Sequence, residues 1–159
     1  MKSPAELTEL FRSRGLKVTP QRQCIFRVLY GNEAHPTAEV VYETAVAEMP
    51  TLSLKTVYQT LNDLADMGEL HQLELGTGSA RFDANLDAHH HLVCDRCGQV
   101  SDVYGDFPEI RTGAAREQGF RITRTEVVFR GLCENCQQAH ASGAPDPEAD
   151  LRYASDKMP

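Results

Sequence analysis

Nothing in the 159 residues approaches the run of about 18 apolar side chains that a membrane span needs. The opening MKSPAELTEL also lacks the apolar core of a secretory signal. No membrane partner is therefore expected, and the expected location is the cytoplasm. Positive charge is not in excess: 16 Lys and Arg stand against 23 Asp and Glu, a net charge of −7, which rules out a globally basic nucleic-acid binder. Low complexity is absent as well. With 41% hydrophobic and 25% charged residues the chain sits near the globular norm, so wholesale disorder and collagen-like classes are excluded. Its length suits one ordinary domain, or two small ones that each need a staple. Two catalytic signatures are missing. There is no His-Glu-x-x-His of a metalloprotease. No histidine has glutamate two residues on, and Cys94 follows Val93 rather than the proline of a zinc nucleobase deaminase. An enzyme is not expected.

What is present is uneven charge and paired cysteine. From Leu10 to Asn32 there are five cations (Arg12, Arg14, Lys17, Arg22, Arg27) and no acid. Phosphates meet the local field, so local nucleic-acid binding stays open, although such a run is more often a solvated helix face. Four of the five cysteines form Cys94-Asp-Arg-Cys97 and Cys133-Glu-Asn-Cys136, with 35 residues between the pairs. In a chain without a secretory signal, two such knuckles can offer four thiolates tetrahedrally to structural zinc. The bland alternative is a pair of redox dithiols, which needs a strand–helix context, and neither motif reads as opening a helix. Cys24, in Cys24-Ile25-Phe26, reads as a core residue.

The pattern along the chain predicts an α+β protein. Ser3-Pro4 starts a helix running to about Arg14, and Thr19-Pro20 starts a second with Ile25, Val28 and Leu29 inward, stopped at Gly31. Thr37 caps a third with Val40, Val41 and Ala45 on one side, closed by Pro50. Ser53 caps a fourth whose inward stripe is Leu54, Val57, Leu61 and Leu64, ended by Gly68. Then Glu69–Leu75 and Ser79–Asp83 flank Gly76-Thr77-Gly78 as a β-hairpin. Helices followed by a hairpin make a winged helix-turn-helix over residues 1–84, with a hinge at 85–88. A second unit over 89–138 is expected to hold strands His89–Cys94 and Gln99–Tyr104, a helix Pro108–Gln118 and a strand Phe120–Arg130. One small sheet, one helix and a zinc staple suit a dimerisation module. Residues 139–159 read as a polar, Pro-rich, acidic disordered tail.

Two constellations carry chemistry. On the fourth helix Lys55, Thr56, Gln59 and Asn62 point outward with Tyr58 at the boundary, a set suited to phosphates and base edges in a major groove, while Lys17 and Arg22 flank the second helix. An ordinary polar face is the alternative. The second constellation is His89 and His91, two apart and on one face of a strand, with Asp83 just upstream, Asp102 on the next strand and His35 in the loop before the third helix. A ring of imidazole and carboxylate without thiolate suits manganese or ferrous iron. Otherwise the three adjacent histidines face solvent or support the zinc. His71 and His140 look incidental.

These residues resemble a known family. Gly15-Leu-Lys-Val-Thr-Pro-Gln-Arg22, Ser53-Leu-Lys-Thr-Val-Tyr-Gln-Thr-Leu61, Ser79-Ala-Arg-Phe-Asp83, His89-His-His-Leu-Val-Cys-Asp-Arg-Cys97 and Gly131-Leu-Cys-Glu-Asn-Cys136 look like the ferric uptake regulator family over about residues 5–138. The resemblance implies a homodimeric, metal-dependent transcriptional repressor of palindromic double-stranded DNA operators, in which Tyr58 and Lys17 contact DNA. Its peroxide-sensing branch implies a regulatory iron or manganese at His35, Asp83, His89, His91 and Asp102, with His35 and His89 the oxidation-sensitive ligands. The iron-sensing branch, the alternative, usually has glutamate at the position of Asp102 and a further histidine near Thr125. The zinc-sensing branch has cysteine near Asp83, and the nickel-sensing branch a histidine near Asp87. A metal storage or delivery protein, a remaining rival, leaves the winged helix unexplained.

Overall fold

The computed structural model describes residues 1–107, 118–122 and 124–141. The chain falls into two compact units, one over Met1–His89 and one beginning at His90.

Four helices open the first unit: α1 (Pro4–Ser13), α2 (Pro20–Leu29), α3 (Ala38–Glu48) and α4 (Leu54–Asp66). Each begins at a hydroxyl side chain that satisfies an otherwise orphaned amide. Ser3 accepts from Glu6 N at 3.4 Å while the Glu6 carboxylate accepts from Ser3 N at 2.8 Å, a reciprocal capping box. Thr19, Thr37 and Ser53 accept from Arg22 N, Val40 N and Thr56 N in the same way. α4 stops where Gly68, at φ +71°, turns the chain left-handed, so that Gly68 N and Glu69 N bond back to Ala65 O and Leu64 O.

The helices close on Leu7, Phe11, Ile25, Phe26, Leu29, Val41, Val57, Leu61 and Leu64, all fully buried. Phe11 and Phe26 meet edge to face at 4.9 Å. Cys24 is buried in this core, as expected. Its thiol is pushed up by burial and by its bond to the Glu48 carboxylate, which disfavours the reactive thiolate. Two assigned core positions are wrong. Val40 is 46% exposed and Leu54 36%, and their places are taken by Ala38 and Thr60. Thr60 is tolerated inside because its hydroxyl donates to Thr56 O at 2.7 Å. Leu54, as the first residue of α4, extends beyond the packed turns.

β1 (His71–Leu73) and β2 (Arg81–Asp83) pair antiparallel, His71 opposite Asp83 and Leu73 opposite Arg81. This hairpin also grips the loop before α3: Phe82 N donates to Pro36 O at 3.0 Å, and an Arg81 guanidinium nitrogen lies 3.3 Å from His35 O.

The second unit is a three-stranded sheet in the order β4-β3-β5, from β3 (His90–Cys94), β4 (Val100–Val103) and β5 (Val128–Gly131), followed by α5 (Glu134–Ala141). β3 runs antiparallel to β4 and parallel to β5. Here the sequence-based reading needs correction. The last strand begins at Val128, not Phe120: Arg124, Thr125 and Glu126 interrupt the apolar alternation, and Val127 N donates to the His90 ring at 3.2 Å instead of extending a ladder. His89 lies just before its strand. The second cysteine knuckle does open a helix, since α5 starts directly after Cys133, and α5 takes in residues 139–141 that were assigned to the tail. The expected helix lies largely outside the described residues, as does the chain from 142 onward.

Truncating Leu61 to Ala should cost about 2–5 kcal/mol through the cavity left in the four-helix core. Val40→Ala should stay within about 0.5 kcal/mol. Chemical denaturation followed by the first unit's transition distinguishes the two.

Candidate metal centres and nucleic-acid face

The four paired cysteines converge. Cys94 ends β3, Cys97 lies in the turn leading to β4, Cys133 follows β5 and Cys136 lies in the first turn of α5. Their sulfurs all lie within 4.8 Å of one another, and Cys97 Sγ and Cys133 Sγ are 3.7 Å apart. That spacing is too long for a disulfide, and all four thiols are free. It matches the edge of a tetrahedron whose centre is about 2.3 Å from each sulfur, which is zinc–thiolate geometry. Burial opposes ionisation of Cys94, but amide donors from Cys133, Cys97 and Arg96 outweigh it and bring the thiol down to about 6. Cys136 is pushed up to about 12 by burial and by bonds to the other three sulfurs. One thiolate is thus ready, and a thiol beside it becomes a ligand only by losing its proton to the metal. The set of four cysteines suits structural zinc, which joins both ends of the second unit.

The first unit builds a second donor cluster. His35 is buried in the loop before α3 at φ +47°, a left-handed conformation costing roughly 1–3 kcal/mol for a residue other than glycine. The two contacts from β2 to this loop oppose that cost. Asp83, at the end of β2, starts a chain of side-chain turns: Asn85 N donates to Asp83 Oδ1 at 2.7 Å, and Asp87 N donates to Asn85 Oδ1 at 3.1 Å. His89 then meets Asp87 O at 2.7 Å through Nδ1. A carbonyl only accepts, so Nδ1 carries a proton and Nε2 is the nitrogen turned towards Asp83. Nε2 lies 3.1 Å from Asp83 Oδ2, and His35 Nε2 lies 3.7 Å from Asp83 Oδ1. The ligand atoms of His35, Asp83 and His89 all fall within 4.8 Å, and all three residues are buried. At this range a proton or a metal cation can lie between the ring nitrogen and the carboxylate. Two imidazoles and a carboxylate suit a hard or borderline divalent ion such as iron or manganese.

In the second unit His91 is fully buried, opposite Asp102 across the β3–β4 ladder, and Tyr104 donates to Asp102 Oδ2 at 3.3 Å. Glu126 was not anticipated. Its Oε1 lies 3.0 Å from His91 Nδ1, and its other oxygen lies 3.8 Å from the Arg124 guanidinium. The available signal was a lone carboxylate breaking the apolar alternation two residues before Val128, the register partner of His91.

On α4, Lys55, Gln59 and Asn62 are exposed. Thr56 is half-buried, with its hydroxyl 2.9 Å from that of Ser53. Tyr58 is 41% exposed and donates to Glu39 Oε1 of α3 at 2.6 Å. Lys17 is exposed between α1 and α2. Arg22, expected at DNA, is turned inward instead. Its guanidinium pairs with Asp63 of α4 at 2.6 Å and stacks over the Phe11 ring at 5.1 Å, locking α1, α2 and α4 together.

Residues 13–130 match the ferric uptake regulator family. Among characterised relatives, the chain is similar to the peroxide-responsive repressor PerR of Staphylococcus aureus, 35% identical over 127 residues, 79% of this chain and 86% of that protein. Among solved structures it is similar to the Vibrio cholerae ferric uptake regulator, with TM-score 0.67 and 30% identity, covering 79% of this chain and 98% of the other. It is likewise similar to a Pseudomonas aeruginosa ferric uptake regulator with manganese, with TM-score 0.62 and 30% identity, covering 80% and 97%.

Loading zinc into metal-free protein at pH 7 should release fewer than four protons, because the Cys94 thiol at about 6 is already mostly ionised. Release should grow as pH falls towards and below that value and shrink as pH rises, measured by calorimetry in buffers of different ionisation enthalpy. Cys136→Ser should lose zinc; Cys24→Ser should retain it.

Proposed function

The chain belongs to the ferric uptake regulator family, and from that premise we propose that it is a homodimeric, metal-dependent transcriptional repressor that responds to hydrogen peroxide. Members of the family are metal-responsive regulators that bind DNA as dimers. The observation that carries the finer reading is the donor set: three histidines and two aspartates, His35, Asp83, His89, His91 and Asp102, with no thiolate among them. The Staphylococcus aureus repressor is similar over most of both chains, which supports the same branch.

The proposed regulation runs through the boundary between the units. His35, Asp83 and His89 belong to the DNA-reading unit, while His91 and Asp102 belong to the sheet unit. A ligand set drawn from both binds the closed arrangement better than any other. That differential affinity is what shifts a population, and moving 1:99 to 99:1 takes about 5.5 kcal/mol. Exposed Leu92 and Phe129 are register partners on β3 and β5, an apolar stripe suited to pairing with a second copy. Two copies present two α4 helices to successive major grooves of a palindromic operator. Lys17 and Lys55 contribute the salt-dependent part of the binding, and Gln59 and Tyr58 reach the groove.

Ferrous iron, if held by these residues, would supply the reductant for hydrogen peroxide, and the rings of His35 and His89 are the groups proposed to be oxidised. Oxidation of either ring weakens a donor, loosens the ring and releases the operator, while the cysteine thiolates stay intact. Manganese does not carry out this chemistry readily, so metal identity sets the response. The iron-sensing alternative uses the same donors and responds to metal withdrawal alone, so operator release by chelator but not by peroxide identifies it.

With iron loaded and dilute peroxide added, mass spectrometry should find oxygen added to the His35 and His89 peptides before any cysteine oxidises; unmodified histidines alongside oxidised cysteines exclude the mechanism. Single alanine replacements of the five proposed ligands should each weaken manganese-dependent operator binding at least tenfold, about 1.4 kcal/mol. Lys17→Ala should lower the slope of log K against log salt by about 0.9. Arg22→Ala should instead lower the thermal midpoint, reporting its contacts with Asp63 and Phe11.

A further inference from the structure

We propose that Glu39 of α3 is a specificity-determining residue for DNA: it takes the Tyr58 proton, so that the hydroxyl meets a base as an acceptor and is denied to phosphate. The inference rests on the reading above that α4 enters a major groove. Tyr58 is 41% exposed on α4, and its hydroxyl donates to Glu39 Oε1 at 2.6 Å. A phenol has one proton to give. With that proton committed, the oxygen offers only lone pairs.

The acceptor is anchored as well as charged. Glu39 lies in the first turn of α3, where free amides and the helix dipole favour a carboxylate. Its carboxyl is held below the usual range first by the Tyr58 hydroxyl, then by its own amide and the Thr37 hydroxyl. Tyr58 is pushed upwards, chiefly by the same bond, so the phenol keeps its proton at neutral pH. A hydroxyl that donates to a carboxylate is also a stronger acceptor. In a major groove the donors are the amino groups of adenine and cytosine, whereas guanine O6, purine N7 and thymine O4 only accept. Phosphate oxygens only accept too, and the Glu39 charge repels them. The pair therefore favours a base amino group. Without Glu39 the freed proton suits any phosphate, which adds affinity but carries no sequence information.

The test uses full-length protein loaded with zinc and manganese, and two labelled duplexes followed by fluorescence anisotropy. One duplex is selected by the parent protein from a randomised pool; the other is a scramble of the same length and composition. The readout is the ratio of the two affinities. Glu39→Ala and Tyr58→Phe should each lower that ratio at least about fivefold, the low end of what a base contact discriminates. The double variant should match either single one within about twofold, because both remove the same interaction. Glu39→Ala should bind the scrambled duplex at least as tightly as the parent does. Glu39→Gln, which keeps an acceptor oxygen, should retain more of the ratio. Removing the amino group from one adenine or cytosine of the selected duplex at a time should weaken the parent at one position and leave Tyr58→Phe unaffected there. Thermal midpoints should stay at the parent value. An unchanged ratio in Glu39→Ala overturns the proposal, as do losses that multiply in the double variant or fall equally on both duplexes. If Tyr58→Phe also keeps the parent ratio, Tyr58 does not read the groove, while the repressor reading stands. If the parent selects no duplex with metal present, the repressor reading itself fails.

Discussion

Donor atoms buried against one another need a proton or a metal cation among them, and both units of this protein are built around that constraint. In the first, Nε2 of His89 is held at 3.1 Å from the Asp83 carboxylate, its other ring nitrogen bonded to Asp87 O. In the second, four sulfurs crowd to tetrahedral spacing, with one thiol already shifted towards its thiolate. Side chains left to pack by hydrophobicity alone do not gather like this, since burying such groups without a compensating partner costs several kcal/mol. The fold accepts that cost at two places because metal binding returns it.

Zinc and the regulatory ion have different tasks, and the donors reflect this. Thiolates bind zinc tightly, and the knuckles tie the turn after β3 to the start of α5, so the zinc set supports the sheet that carries His91 and Asp102. Imidazole and carboxylate bind iron or manganese less tightly, which suits a site that must respond to supply or oxidation. A regulator needs one metal that stays and one whose binding is conditional.

The DNA-reading surface shows a related division of labour. Arg22 sits in the basic run but is occupied with Asp63 and Phe11, so it holds α4 in place instead of reaching outward. Tyr58 is presented at the surface while its hydroxyl is held by Glu39 of α3, which fixes the ring's direction before any contact with a groove. Lys17 and Lys55 remain exposed. An acidic protein of net charge −7 thus keeps a small cationic face that does not depend on its overall charge.

Much of this was readable from local pattern, because local pattern obeys local physics. Ser3, Thr19, Thr37 and Ser53 start helices through bonds that span three residues, and two Cys-x-x-Cys pairs announce their chemistry by spacing alone. Family likeness pointed to His35, Asp83 and His89 together; their convergence depends on β2 gripping the His35 loop through Phe82 and Arg81, bonds that join residues more than forty positions apart. Periodicity failed where tertiary contacts overruled it: at Val40, which stays exposed, at Leu54, which lies beyond the packed turns of its helix, and at Val127, whose amide donates to the His90 ring. Sequence alone determined the elements, the zinc ligands and the chemical type of the second site. Only the tertiary structure decided that Arg22 faces inward and that Glu126 lies at His91, because both depend on which groups from distant parts of the chain are left to satisfy a buried charge.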